Sequence, residues 1–169
     1  CEGAASERQF YSLHKFRTGA GYEHYEVSNV AKRGRPSRHN SSYWNGSPYL
    51  GIGPSAHSFD GGRIRRWSTA TVRQYLDEPA AEHYRSETLT NDDRYNEYIM
   101  TSLRTSDGVD ITYLGLQYGS RYVDHFLNTV ERLLRDGFMK KTRKGRYYIP
   151  PQIFLVSDMI ISKLFIGKA

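Results

Sequence analysis

The segment from residue 120 to residue 135 constrains the fold more than any other part of the sequence. Its apolar residues recur at the spacing of a single helix face, so we predict an amphipathic helix over Ser120–Arg135 that buries this face in a core. The face consists of Tyr122, Val123, Phe126, Val130, Leu133 and Leu134. Gly137 follows at the position where helices commonly end on a glycine.

The neighbouring segments extend this helix into a compact module. Helical patterns occupy residues 90–103, 111–118 and 150–165, and a hairpin pattern that turns at residues 142–145 occupies residues 138–149. Thr90 can cap the first of these helices, because Asp93 stands three residues further on. Helices followed by a hairpin and a further helix are typical of a winged-helix-like domain, which we predict for residues 89–169.

The first half of the sequence has a different character. Helical patterns occupy residues 6–17 and 68–78, strand patterns occupy residues 22–28 and 49–54, and a hairpin pattern around Asp60-Gly61-Gly62 occupies residues 56–67. Ser68 or Thr69 is the predicted N-cap of the second helix, which ends before Pro79. A helix followed promptly by a strand is typical of an α/β fold. We therefore expect residues 1–88 to be the end of a larger α/β unit that begins upstream.

The amino-acid composition narrows the classes of partner, binding site and location that we expect. The net charge of +6 favours anionic partners such as phosphates, carboxylates, nucleic acids or a cofactor with propionate groups. The sequence shows neither an apolar run long enough for a membrane span nor a signal-peptide pattern. One cysteine excludes an internal disulfide framework and any site built from several thiolates of this chain, and we predict a cytoplasmic protein.

Residues 29–48 form a long polar segment, predicted to be a loop, that holds the densest group of chemically useful side chains. The group comprises Arg38, His39, Asn40, Tyr43 and Trp44. Three interpretations are open: the aromatic rings anchor the loop to a core, His39 ligates a metal or haem iron, or Arg38 and His39 bind an anion.

Several motifs in order along the chain resemble one family. They are Tyr25-Glu-Val-Ser-Asn29, Ser37-Arg-His-Asn40, Tyr43-Trp44 and Tyr49-Leu-Gly-Ile-Gly-Pro-Ser-Ala-His57, and residues 96–110 and 133–145 look like the same family's C-terminal domain. The family is that of the HemN/HemW-like radical SAM proteins, which are oxygen-independent coproporphyrinogen III oxidases or haem chaperones.

The resemblance implies an α+β fold: the terminal strands and helices of a partial (β/α)₆ barrel in residues 1–88, then the winged-helix-like domain in residues 89–169. The H-N-x-x-Y-W motif favours the haem chaperone branch. It implies that His39 ligates haem iron, with Asn40, Tyr43 and Trp44 completing the motif. Ile52, Gly53 and Ser55 would lie beside S-adenosylmethionine (SAM), although Pro54 departs from the family pattern. Arg38 and His57 are candidates to line the same cavity.

The resemblance also implies a [4Fe–4S] cluster and SAM in the parent protein, bound by a CxxxCxxC loop that this chain lacks. We therefore expect no SAM cleavage by this chain alone. Haem binding and delivery to an accepting protein is the favoured function, and oxidation of porphyrinogen propionates is the alternative. Nucleic-acid binding by the basic hairpin at residues 139–146 is a third and less favoured function, because the helix that precedes the hairpin carries both acidic and basic side chains. His14, His24, His83 and His125 receive no role.

Overall fold

The computed structural model describes residues 2–77 and 83–167, which fall into two compact units. The first unit combines Cys1–Asn45 with Tyr95–Ala169, and the second is Gly46–Arg94. The predicted division after residue 88 stays a prediction. No helix in the described ranges combines the length and apolar character required to cross a membrane.

The first unit is built from helices and two small antiparallel sheets. Its elements in chain order are α1 (Glu2–Gly19), β1 (Tyr22–His24), β2 (Val30–Lys32) and α2 (Arg38–Trp44), and then, beyond the second unit, α4 (Asn91–Leu103), β6 (Val109–Asp110), α5 (Ile111–Tyr118), α6 (Ser120–Arg135), β7 (Lys140–Lys141), β8 (Arg146–Tyr148), a 3-10 helix (Pro151–Val156) and α7 (Ser157–Ser162). Helix α4 starts in the second unit and continues into the first.

The core of the first unit lies among α4, α5, α6 and the C-terminal segment. Buried side chains from these elements include Ile99, Leu103, Leu114, Phe126, Val130, Ile160 and Leu164. Strand β8 is central in the sheet order β6-β8-β7, and it places Tyr147 opposite both Val109 and Lys141. The predicted helix over Ser120–Arg135 and the hairpin that follows it are confirmed.

Helix α6 ends on the expected glycine. Gly137 has a φ of 79°, and its N–H donates to the Leu134 carbonyl at 3.2 Å. The Phe138 N–H reaches the Leu133 carbonyl at 2.9 Å, so two carbonyls left over by the helix are satisfied at this turn. The chain then reverses directly into β7.

The segment after β1 is tied to the loop after α4. The Val27 N–H donates to the Arg104 carbonyl at 2.9 Å, and the Ser106 N–H donates to the Tyr25 carbonyl at 3.0 Å. Between them lies Glu26, which is buried, and its carboxylate accepts the Ser28 N–H at 3.0 Å and a hydrogen bond from the Asn29 side chain. The N-terminal and C-terminal parts of this unit are therefore joined by backbone hydrogen bonds around a satisfied buried carboxylate.

The second unit is a three-stranded antiparallel sheet with one short helix. Its elements are β3 (His57–Phe59), β4 (Ile64–Ser68), α3 (Val72–Asp77) and β5 (Tyr84–Thr88), with strand order β3-β4-β5. The predicted hairpin is confirmed. The Asp60 carboxylate closes its turn by accepting the N–H groups of Gly62 and Ile64, and these hydrogen bonds lower the pKa of Asp60.

Four predictions of local structure need correction. The segment 29–48 is not a continuous loop, since it contains β2 and α2. The strand predicted over residues 22–28 ends at His24. The N-cap of α3 is Thr71, which exchanges hydrogen bonds with Gln74, and the predicted end before Pro79 lies outside the described residues. The last helix begins as a 3-10 helix, with Ile153 off helical geometry, before α7 follows.

The strand predicted to be buried over residues 49–54 is also wrong. Only Tyr49 pairs, through a single bridge to Phe59, and Leu50 and Ile52 are each 79% exposed. Pro48 precedes the segment and Pro54 ends it, and both lack the N–H groups that longer pairing would need. The mixed helix-and-strand class is confirmed, whereas the barrel and winged-helix assignments stay predictions.

Candidate functional site

Five of the predicted site residues lie on one short helix. Ser37 caps α2 by accepting the Asn40 N–H at 3.2 Å, and the Ser41 hydroxyl donates back to the Ser37 carbonyl at 2.8 Å. The helix buries no residue. Its side chains therefore do little to hold a core together, which distinguishes α2 from the amphipathic helices of the same unit.

His39 and Tyr43 are adjacent on one face of α2 because they are four residues apart. His39 Nε2 lies 3.2 Å from the Tyr43 hydroxyl, and the two rings meet edge to face with centroids 5.1 Å apart. Both side chains are exposed, Tyr43 by 56%. The tyrosine thus orients an imidazole that remains open to solvent, and it does not anchor the segment to a core.

The other members of the motif surround this pair. Asn40 and Trp44 are half-buried, and Arg38 is exposed. Residues 30–45 contain no Asp or Glu, whereas Lys32, Arg33, Arg35 and Arg38 are all cationic. Arg33 lies 3.7 Å from Glu23, with both side chains largely exposed. The segment that leads into α2 is therefore rich in positive charge, and this suits a ligand with carboxylate groups.

The second group of predicted site residues lies on the other unit. Gly53 and Ser55 both take positive φ, 118° and 57°, and the Ala56 N–H donates to the Gly53 carbonyl at 3.3 Å. Ser55 is the single non-glycine residue with positive φ in the described part of the chain. Ile52 is 79% exposed. The chain therefore makes a tight turn here with an open backbone, a type of strained geometry that clusters at functional sites.

His57 begins β3 in the same unit. It is exposed, and its ring stacks on Trp67 across the hairpin, with centroids 6.1 Å apart and an angle of 20° between the rings. The structure thus gives His57 an aromatic partner within the sheet. Each group of predicted residues is local to its own unit.

The basic hairpin is less uniform than its sequence indicates. The Arg146 guanidinium pairs with Asp110 at 3.1 Å, and Lys141 lies over the Tyr147 ring at 5.1 Å from its centroid. On α6, Asp124 and Glu131 are exposed. These carboxylates, which stand among the exposed arginines of the same face, oppose entry of this helix into a nucleic-acid groove.

Sequence reasoning missed one cluster. His14 of α1 and His24 of β1, to which we assigned no role, meet with their Nδ1 atoms 3.2 Å apart. Neither lies in a recognisable motif, and their contact is produced by the turn between helix and strand. No local sequence signal could have revealed it.

Comparison with known proteins shows which proteins this chain resembles. Residues 89–148 match the model of the HemN C-terminal domain. The haem chaperone HemW of Bacillus subtilis is 28% identical over 130 residues, which cover 75% of this chain and 34% of that protein. HemW of Escherichia coli is 35% identical over 115 residues, which cover 63% of this chain and 30% of the relative. The chain is similar to the C-terminal part of HemN/HemW-like proteins.

A solved structure supports the same fold. The coproporphyrinogen III oxidase HemN of Escherichia coli, described as a radical SAM enzyme, superimposes with a TM-score of 0.67 over 91% of this chain and 39% of that chain, at 20% identity. The HemN/HemW-like chain spans about a third of the length of these relatives.

A four-iron cluster does not fit the residues of this HemN/HemW-like chain. Such clusters are held by several cysteine thiolates, and the sequence has one cysteine. Within residues 2–77 and 83–167, no group of three or more His, Cys, Asp or Glu side chains is arranged to hold a metal ion.

Proposed function

We propose that this HemN/HemW-like chain belongs to a radical SAM protein of haem metabolism and binds and delivers haem through α2. The observation that carries the proposal is the His39–Tyr43 pair, an exposed imidazole oriented by a neighbouring hydroxyl on a helix without a structural core face. The names of the HemW relatives support haem as the cargo.

Each member of the motif has a role in this proposal. A neutral imidazole nitrogen of His39 ligates the haem iron, as histidine does in many haem proteins. Tyr43 and Trp44 offer aromatic surface to the porphyrin, and Arg38 pairs with a propionate. Asn40 closes the first turn of α2 through its backbone N–H. The cationic stretch before the helix favours the dianionic edge of the porphyrin.

The fold similarity to HemN favours a second candidate function, oxidative decarboxylation of porphyrinogen propionates by the parent protein. In that case the cluster and SAM bind chiefly outside this chain, because its own residues cannot hold the cluster. Ile52, Gly53 and Ser55 are proposed to lie beside SAM, where the open turn lets a ligand approach the backbone. His57 and Arg38 are proposed cavity residues.

Two further proposals concern the domains, and a third concerns the location. Residues 1–88 form the last part of a partial barrel, and residues 89–169 form a winged-helix-like domain that docks a haem-accepting protein. We propose a cytoplasmic location, in line with the single cysteine.

A haem titration followed by absorbance tests the proposal on the whole chain. We expect a Soret band that saturates near one haem per chain, and His39→Ala should weaken binding by about tenfold or more, since iron loses its protein ligand. His83→Ala removes a histidine of the second unit that has no proposed role, and it serves as the matched control, with wild-type binding expected.

Circular dichroism of all three proteins establishes that they are folded alike. Equal haem binding by wild type and His39→Ala would contradict the role of His39. The porphyrinogen oxidase alternative would then be the better-supported function of the parent protein.

A further inference from the structure

The two histidines that sequence analysis left without a role face each other inside the first unit. His14 Nδ1 of α1 lies 3.2 Å from His24 Nδ1 of β1, and the ring centroids are 5.5 Å apart. His24 is only 9% exposed, and His14 is half-buried. A hydrogen bond between two imidazoles is thus enclosed where the helix meets the strand.

Aromatic rings from two elements enclose the pair. Phe10, one turn before His14 on α1, stacks on His14 at 6.2 Å and lies 6.0 Å from His24. Phe154 of the 3-10 helix meets the His24 ring edge-on at 5.2 Å. The pair therefore occupies the seam at which α1 and β1 pack on the C-terminal part of the unit.

The hydrogen bonds limit how many protons the pair can hold. His24 Nε2 lies 3.3 Å from the Val27 carbonyl, which can only accept, so Nε2 carries a hydrogen. In neutral His24 the Nδ1 atom is then an acceptor, and His14 donates its Nδ1–H. One additional proton on His14 Nε2 preserves this bond. A second additional proton, on His24 Nδ1, points two N–H groups at each other and places two positive charges side by side.

The charged groups that face His24 do not offset the repulsion between the two protonated imidazoles. On its own segment, Glu26 favours the charged imidazole, but its carboxylate is already engaged by Ser28 and Asn29. On α1, Arg17 and His14 disfavour it. The 3-10 helix, Pro151–Val156, contributes no titratable side chain.

We propose that His14 and His24 form a proton-operated latch that holds α1 against the rest of the first unit and opens when both imidazoles are protonated. The latch is closed while one hydrogen lies between the two Nδ1 atoms and forms the hydrogen bond that joins them. It opens on acidification because the hydrogen bond is replaced by repulsion and His24 must gain access to water. The effect is independent of haem and of α2.

The direction of the pH dependence follows from His24. Burial is the largest influence and lowers the pKa of His24, and the hydrogen bond to the Val27 carbonyl opposes it. Weaker effects follow from His14 and Arg17, which lower the pKa, and from Glu26, which raises it, and the net direction is downward. The unfolded segment therefore binds a proton more readily than the closed latch. Stability of the latch is present above the ordinary histidine pKa of about 6.5 and is lost as the pH falls below it.

Amide hydrogen exchange of the full chain, corrected for intrinsic rates, measures the opening. Between about pH 7.5 and about pH 5, we expect protection of the α1 amides to fall by about tenfold for each unit of pKa difference, while α6 amides keep theirs. His24→Phe removes the titrating ring but keeps aromatic packing, so its α1 protection should be independent of pH.

His14→Asn provides a second variant in case His24→Phe does not fold. Its amide can turn to donate to neutral His24 or accept from protonated His24, so the pH dependence should again be lost. His57→Asn, which removes an exposed histidine of the other unit, should behave like wild type. Constant α1 protection in wild type, or an equal loss in either latch variant, would overturn the proposal.

Discussion

The backbone at Gly108 tolerates no larger residue. Its φ is 68°, and a methyl group on this Cα would lie 2.2 Å from the Tyr147 carbonyl oxygen and 2.7 Å from Tyr148 Cβ. The glycine precedes β6, whose Val109 is fully buried opposite Tyr147. The close approach thus allows the strand to pair with β8 at the edge of the core.

Gly108→Ala should therefore lower the free energy of unfolding by about 4 kcal/mol or abolish folding, since both strain and steric overlap are introduced. Gly137→Ala is the matched control. That glycine has a similar φ of 79° but open space around it, so the cost should be about 1 kcal/mol. Urea unfolding measures both. Equal losses for the two variants would show that the Tyr147 contact does not matter.

At the same scale, sequence reasoning worked where chemistry is local. Thr90 and Asp93 were predicted to cap α4, and the structure shows the Asp93 carboxylate accepting from both the hydroxyl and the N–H of Thr90. The His14–His24 contact could not be predicted, because it depends on how a helix and a strand pack rather than on spacing.

Helices and strands could be predicted best from the sequence where their side chains are buried. Helix α6 was readily identified because its buried face leaves a period of 3.6 in the sequence. Helix α2 buries no residue, so it leaves no such period, and only its Ser37 cap marks it. The apolar run at residues 49–54 led to the wrong prediction of a buried strand for the opposite reason. Its hydrophobic composition indicates burial, but Leu50 and Ile52 are exposed.

The start of α4 gives a prediction at the element scale. The Thr90 hydroxyl, followed by the Thr90 N–H, lowers the pKa of Asp93, because both hydrogen bonds favour the carboxylate. The stabilisation by the cap is therefore complete above the ordinary aspartate pKa and is lost as the pH falls from there through the lowered pKa of Asp93. Thr90→Val should raise the pKa of Asp93 towards its ordinary value and destabilise the helix by about 1 kcal/mol.

An NMR titration of the Asp93 carboxyl carbon, together with urea unfolding, checks both effects. Thr88→Val, an exposed change of the same chemistry on β5, is the control and should leave the Asp93 pKa unaltered. An unchanged Asp93 pKa in Thr90→Val would show that the hydroxyl does not hold the carboxylate.

At the scale of the whole molecule, long-range ties organise the first unit. The Tyr95 hydroxyl donates to the Leu164 carbonyl at 3.0 Å, and the Asn96 side chain both accepts from the Ile166 N–H and donates to the Ile166 carbonyl at 2.9 Å. Arg104 pairs with Asp158 at 2.8 Å. The C-terminal segment is thus fastened along the length of α4, in contacts that no local pattern could reveal.

None of these hydrogen bonds or the ion pair involves α2, which lies outside the core of its unit. The buried core residues and the helix that carries the candidate haem ligand are separate, so we expect substitutions of the exposed residues of α2 to leave the chain folded. This separation makes the central proposal, ligation of haem iron by His39, directly testable in the whole chain.

The most direct measurement is the absorption spectrum of the haem complex of His39→Cys beside that of wild type. A thiolate in place of imidazole changes the electronic structure of the iron, so we predict retained binding with the Soret band moved to the thiolate-ligated class. An identical spectrum in both proteins, with circular dichroism showing both folded, would mean that residue 39 does not touch the iron and would contradict the account.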